Sequence, residues 1–218
     1  MRDAPRLLPM LPEHTSGASP VFERIAVVGL GLIGGSIALA ARKAWPSALV
    51  IGVDRSAVLE RAMIRHAVDV ASEDLTIISD ADLVVLATPV GSIVELIPAL
   101  DRTLASDAVI TDVGSTKRAV VTAARALPSR LTFVGGHPLA EAPSGGIDAA
   151  RVDLFVGRPW LLVDEGCAHP DVAARLSAFV EGLGAKPVTL ASVADHDRLV
   201  SLLRSLPPDS ENVRSGQA

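Results

Sequence analysis

Three glycines at the spacing Gly29-x-Gly31-x-x-Gly34, with a fourth at Gly35, are the first residues in this chain whose types and spacing carry chemistry. Glycine inside a regular element costs about 0.5–1 kcal/mol relative to alanine, so the cluster marks backbone that turns tightly or is closely approached. In a dinucleotide-binding strand–turn–helix unit, Gly29 makes the turn, Gly31 admits a pyrophosphate to the backbone and Gly34 lets helix and strand pack. Leu32 and Ile33 lie between them in the same cofactor-binding loop, and the helix N-terminus that follows favours phosphate. Asp54, twenty residues after Gly34, falls where a carboxylate would accept hydrogen bonds from ribose hydroxyls and repel a 2′-phosphate. The pattern therefore predicts NAD as cofactor in preference to NADP, a preference that Arg55 weakens without reversing. The other reading of the glycines is a tight strand-to-helix turn and nothing more.

A cofactor does not name a reaction, so the remaining chemistry belongs to residues at the carboxyl ends of other strands. Thr88 and Pro89 in "ATP", Ser115 in "TDVGSTK" and His137 in "GGHPLA" all occupy such positions. Oxidation of an alcohol needs a base for the hydroxyl proton while hydride leaves carbon, and imidazole suits that task near neutral pH. His137 is the candidate base; its alternative is a loop histidine bonded to backbone. Ser115 is a candidate to fix that imidazole or the cofactor ribose, and equally to cap the following helix, two compatible roles.

The elements that must position these residues alternate between short β-branched runs and longer helical stretches, the pattern of a parallel sheet covered by helices. Strands are predicted at 24–30, 48–54, 82–89, 107–115, 131–138, 159–163 and 186–190. Helices are predicted after the first four of these, over roughly 170–183, and from about Ser192. The runs are apolar throughout, as strands buried on both faces are. The fold class is α/β, a Rossmann-type doubly wound, mostly parallel sheet with helices on both faces. The expected organisation is a loose leader over 1–22, a dinucleotide-binding domain over 23–191, the start of an interdomain or dimerisation helix over 192–206, and a disordered tail over 207–218.

At 218 residues, with 49% hydrophobic and 21% charged residues, the chain can bury a sizeable core. A net charge of −5 with scattered lysines and arginines argues against nucleic acid as partner. The lone Cys167 permits no internal disulfide and no cysteine-based metal site, so no metal is expected and the cytoplasm is the expected compartment. No apolar run reaches the ~18 residues that would span a bilayer.

Taken together, "GLGLIGGSIALA", "GVDRS", "ATPV", "TDVGSTKR", "GGHPLA", "RPWLL" and "ADHDRLVSLL" resemble the prephenate dehydrogenase family, which includes arogenate dehydrogenases, from about residue 24 to 206. The resemblance implies NAD-dependent oxidative decarboxylation of prephenate to 4-hydroxyphenylpyruvate in tyrosine biosynthesis, or of arogenate to tyrosine. It makes His137 the catalytic histidine, Ser115 an active-site serine that also lines the substrate site, and His196 in "DHDR" a residue lining that site. Read from the residues alone, His196 is a solvated helix position between two carboxylates. Two departures from the family pattern stand out. Glu141-Ala142-Pro143 replaces a glycine and a polar pair, placing a carboxylate near a dianionic substrate. The family also continues from the "HDR" helix into an all-helical, dimer-forming domain that supplies a basic residue to the substrate. Its absence here leaves Leu199, Val200, Leu202, Leu203 and Leu206 needing another cover. A catalytically silent NAD-binding module and a different hydroxyacid dehydrogenase are the competing readings.

Overall fold

The computed structural model describes residues 19–140, 142–165 and 169–205; the expectations for Glu141, Cys167, most of the leader and the tail lie outside them. In chain order the elements are β1 (Arg24–Val28), α1 (Leu32–Ala44), β2 (Leu49–Val53), α2 (Ser56–Ile64), β3 (Val70–Ser72), β4 (Leu83–Leu86) and α3 (Val90–Thr103). They continue as β5 (Ala108–Asp112), α4 (Arg118–Ala124), β6 (Leu131–Pro138), β7 (Pro159–Val163), α5 (Pro170–Gly182), β8 (Lys186–Leu190) and α6 (Val193–Ser205). All eight strands form one sheet in the order β3-β2-β1-β4-β5-β6-β7-β8.

The order reverses at β1 and β4, the switch point outside which a doubly wound sheet binds its ligand. The first six strands are parallel, as expected for the five of them that have continuous apolar runs. β7 then runs antiparallel to β6, and β8 parallel to β7. Among the described residues, the segment between β6 and β7 holds a 3₁₀ turn at Ile147–Ala149 and no crossover helix, so the chain turns back instead of crossing over. β3 was not among the expected strands: its three residues, Val-Ala-Ser, are only half-buried and carry no apolar run. β8 also departs from the expectation of strands covered on both faces, because an edge strand leaves Lys186, Thr189 and Val188 exposed.

Each face of the sheet has its own core. One is built from α1, α2 and α5 with Ile147, Ala150, Leu154 and Phe155 of the irregular segment. The other joins α3 and α4 to the strands through Ile93, Ile97, Leu100, Val120 and Ala124. Gly35 makes room for the irregular segment: a Cβ there would lie 2.6 Å from Ile147 Cδ1 and 2.9 Å from Ala150 Cβ. The leader expected over 1–22 is corrected at its last residues. Phe22 is buried, edge-on to Phe179 of α5 at 5.9 Å, because an aromatic ring next to β1 is removed from water by joining that core. α6 packs on β7 and α4 through Val193, with Val163 and Val121. Of its other apolar residues, Val200 is buried and Leu202 remains 57% exposed.

Candidate active site

The glycine loop is shaped by what each missing side chain would strike. Gly29 adopts φ +94°, which favours glycine, and a Cβ there would lie 2.7 Å from the Ala87 carbonyl carbon. A Cβ at Gly34 would overlap the Gly29 carbonyl oxygen, so α1 could not sit this close to β1. At Gly31 the same Cβ would face open space. Gly31 also caps α1 without any side-chain hydrogen bond, and the first turn holds no acidic residue. The uncapped N–H groups of that turn are the donors an anion would use.

Asp54 follows β2 at the rim of this loop. Its Oδ2 accepts the Leu30 N–H at 2.6 Å and its Oδ1 the Arg55 N–H at 2.7 Å. The carboxylate therefore fixes the glycine loop while keeping lone pairs for a ligand. The Arg55 guanidinium reaches it only at 3.9 Å and is 88% exposed. Across the switch point, Thr88 and Pro89 connect β4 to α3, with Pro89 capping the helix. Thr88 Oγ1 is buried and has no hydrogen-bond partner among the described residues, as expected of a group that a ligand would satisfy. Open backbone at Gly31, an oriented carboxylate and an orphaned hydroxyl fit a bound dinucleotide.

His137 lies near the end of β6, not in a loop, and its Nδ1 meets His196 Nε2 at 3.0 Å. His196 Nδ1 in turn meets Asp197 Oδ1 at 3.1 Å. The solvated-helix reading of His196 is corrected: its side chain is 1% exposed, because α6 turns that residue inward against β6. Burial holds the His196 imidazole below the usual histidine range, and the positive charge of Lys117 pushes the same way, against Asp197 and Asp112. The hydrogen bonds then fix the tautomers. A carboxylate only accepts, so His196 carries its proton on Nδ1 and accepts at Nε2. His137 must donate from Nδ1, which leaves the basic lone pair on Nε2.

Ser115 is exposed on the turn between β5 and α4. The helix-cap reading of Ser115 is corrected, since α4 begins only at Arg118 and Lys117 occupies the cap position without a side-chain bond. Ser115 instead lines a cavity of about 890 Å³ between α3, α4 and α6, with Thr116, Arg118, Asp197, Val94 and Val200. The Arg118 guanidinium lies 3.8 Å from Asp197. Sequence reasoning passed over Asp112 and Lys117, which form a fully buried ion pair behind this turn. The available signal was an acid at a strand end followed five residues later by a lysine within "TDVGSTK". Among the described residues, no three His, Cys, Asp or Glu side chains come together as a metal site, and no helix is long and apolar enough to cross a membrane.

A sequence model described as "Prephenate dehydrogenase, nucleotide-binding domain" matches residues 37–189. The chain belongs to the prephenate dehydrogenase family. It is 34% identical over 189 residues to the prephenate dehydrogenase of Lactococcus lactis subsp. cremoris, a match covering 85% of this chain and 51% of that one. The crystal structure of Synechocystis arogenate dehydrogenase superposes with a TM-score of 0.74 at 31% identity, covering 89% of this chain and 79% of that one. The prephenate dehydrogenase of Aquifex aeolicus, solved in complex with hydroxyphenyl propionate and NAD+, gives 0.74 at 24% identity over 86% of this chain and 71% of that one. The chain spans about half the length of the curated relatives it matches.

Proposed function

We propose that the chain binds NAD and supplies the base for oxidative decarboxylation of prephenate or arogenate. The observation that carries this reading is the His137–His196–Asp197 chain in a member of this family, beside a loop shaped for a dinucleotide. The NAD+ in the Aquifex aeolicus relative supports the choice of cofactor. Gly29, Gly31, Leu32, Ile33 and Gly34 would hold the pyrophosphate, Asp54 the adenosine ribose with Arg55 beside it, and Thr88 and Pro89 the nicotinamide end. When bound, NAD supplies the hydride acceptor.

His137 acts at Nε2, taking the substrate's ring hydroxyl proton so that the ring carbon can release hydride and the para carboxylate can depart as carbon dioxide. His196, with both ring nitrogens engaged by His137 and Asp197, orients the base instead of touching substrate. Asp197 stabilises the positive charge that develops on the pair when His137 takes the proton. Ser115, which lines the cavity between α3, α4 and α6, would face the substrate.

The test is a cofactor titration with NAD and NADP, together with turnover of prephenate and of arogenate, on the unaltered chain and on His137→Ala. Tighter binding of NAD than NADP is expected, with NAD affinity within about twofold in the variant. A general base contributes ~10²–10⁴-fold, and a loss of that order is expected for turnover. Equal turnover in both proteins would remove His137 from the chemistry.

A further inference from the structure

Behind the histidine pair lies a buried ion pair that this chemistry does not use. Asp112 ends β5 and Lys117 caps α4; neither side chain exposes any surface, and carboxylate and ammonium are in direct contact. The carboxylate's other partners are backbone. Oδ2 accepts the Gly114 N–H at 2.8 Å, and Oδ1 accepts the Gly136 N–H at 3.1 Å. Gly114 directly precedes Ser115, and Gly136 directly precedes His137. One carboxylate thus holds the backbone amide of the residue just before each candidate catalytic side chain.

Three glycines are cut to fit around this pair. A Cβ at Gly114 would lie 2.9 Å from Asp112 Oδ2, one at Gly135 would lie 3.1 Å from Lys117 Cδ, and one at Gly136 would overlap the Asp112 carbonyl oxygen. Stability is a poor reason for such an arrangement, because desolvation of two buried charges often exceeds their attraction and an apolar pair of similar volume serves a core as well. Burial indeed pushes the Asp112 carboxyl up and the Lys117 ammonium down, against their mutual attraction and the two amide donors. What an apolar pair could not do is accept two backbone N–H groups from different elements at once.

We propose that Asp112 is a positioning residue, its carboxylate strapping β6 to the β5–α4 turn so that His137 and Ser115 keep one fixed separation, with Lys117 as the buried counter-charge. The strap is independent of the reading of His137 as base; only its effect on turnover rests on that reading.

Asparagine at 112 has nearly the same shape but one acceptor oxygen, and its NH₂ would face donors on every side. Asp112→Asn therefore holds one of the two amides and releases the other. In the 218-residue chain, hydrogen exchange at Gly114 or Gly136 is expected to rise at least about tenfold while amides of β1 and β2 are unchanged. The ring ¹⁵N spectrum of His137 and His196 is expected to change from one tautomer pair to a mixture. Asp112→Asn/Lys117→Met removes the unpaired ammonium as well; its thermal midpoint is expected to stay within about 5 °C of the unaltered chain, with the same exchange and ring changes. Full protection of both amides with an unchanged ring spectrum in the double variant overturns the proposal. So does failure of that variant to fold, since the pair would then be holding the core. In turnover, Asp112→Asn should lower kcat about tenfold or more at unchanged KM for NAD, and unchanged kcat counts against the strap. Undiminished turnover in His137→Ala would sink only the assignment of the base.

Discussion

A carboxylate can only accept a hydrogen bond, and through that single property Asp197 sets the protonation of two imidazoles. The acid sensitivity of the fold follows from the burial of His196, which outweighs that contact. His196 is held below the ordinary histidine value of 6.5, chiefly by burial, among Asp197, Lys117, Asp112 and His137. Between 6.5 and that lowered value the unfolded chain binds the proton more readily than the folded one. This contribution to stability is complete above the unfolded value and is lost as pH falls through the folded one. Denaturant midpoints measured from pH 8 downward are expected to hold until about pH 6.5 and then decline, with a shallower decline in His196→Gln. An equal slope in the two proteins would mean that His196 is not what links folding to protons.

Among the elements, the β1–α1 turn separates packing from binding within six residues. Gly31→Ala adds a methyl group to open space, so stability is expected to change by no more than about 0.5 kcal/mol while NAD affinity falls. Gly34→Ala drives a methyl group into the Gly29 carbonyl and is expected to cost ~1–3 kcal/mol. Denaturation and NAD titration of both variants check this, and the reverse ranking of stabilities would overturn it. This turn was legible in the sequence because its glycines and Asp54 directly follow two consecutive strands. Five of the six parallel strands were legible for a similar reason, since continuous apolar runs leave little else to form, whereas the short β3 carries no such run. The direction of β7 was not, because a strand's residues do not record which way it runs. Nor was the His137–His196 contact, which spans 59 residues and places an imidazole flanked by Asp195 and Asp197 in the interior. Asp112 and Lys117 are close in sequence, but they are buried by β6, which arrives later. Local hydrophobic pattern around "TDVGSTK" has no knowledge of that strand.

For the molecule as a whole, the aromatic cluster formed by Phe22, Phe179 and Trp45 is the joint that holds α5 to the nucleotide-binding half. Phe179 stacks on Trp45 at 5.4 Å and receives the edge of Phe22. Phe179→Ala is expected to cost ~3–5 kcal/mol in denaturant unfolding, while a loss under 1 kcal/mol would show that α5 is held elsewhere. Arg175 completes the joint, with its guanidinium 4.4 Å from the centre of the Phe22 ring and a hydrogen bond to the Val21 carbonyl 154 residues away. In kinetic terms this is a clasp between the first strand and the last third of the domain. Closing so long a loop carries an entropy cost that grows as (3/2)RT ln n, so the contact comes late, after the shorter strand–helix–strand units have formed. A chain emerging from the ribosome can pair β1 with β2 and β4 early, yet Phe22 keeps its ring in water until α5 arrives. The nucleotide-binding half is therefore made first and sealed last.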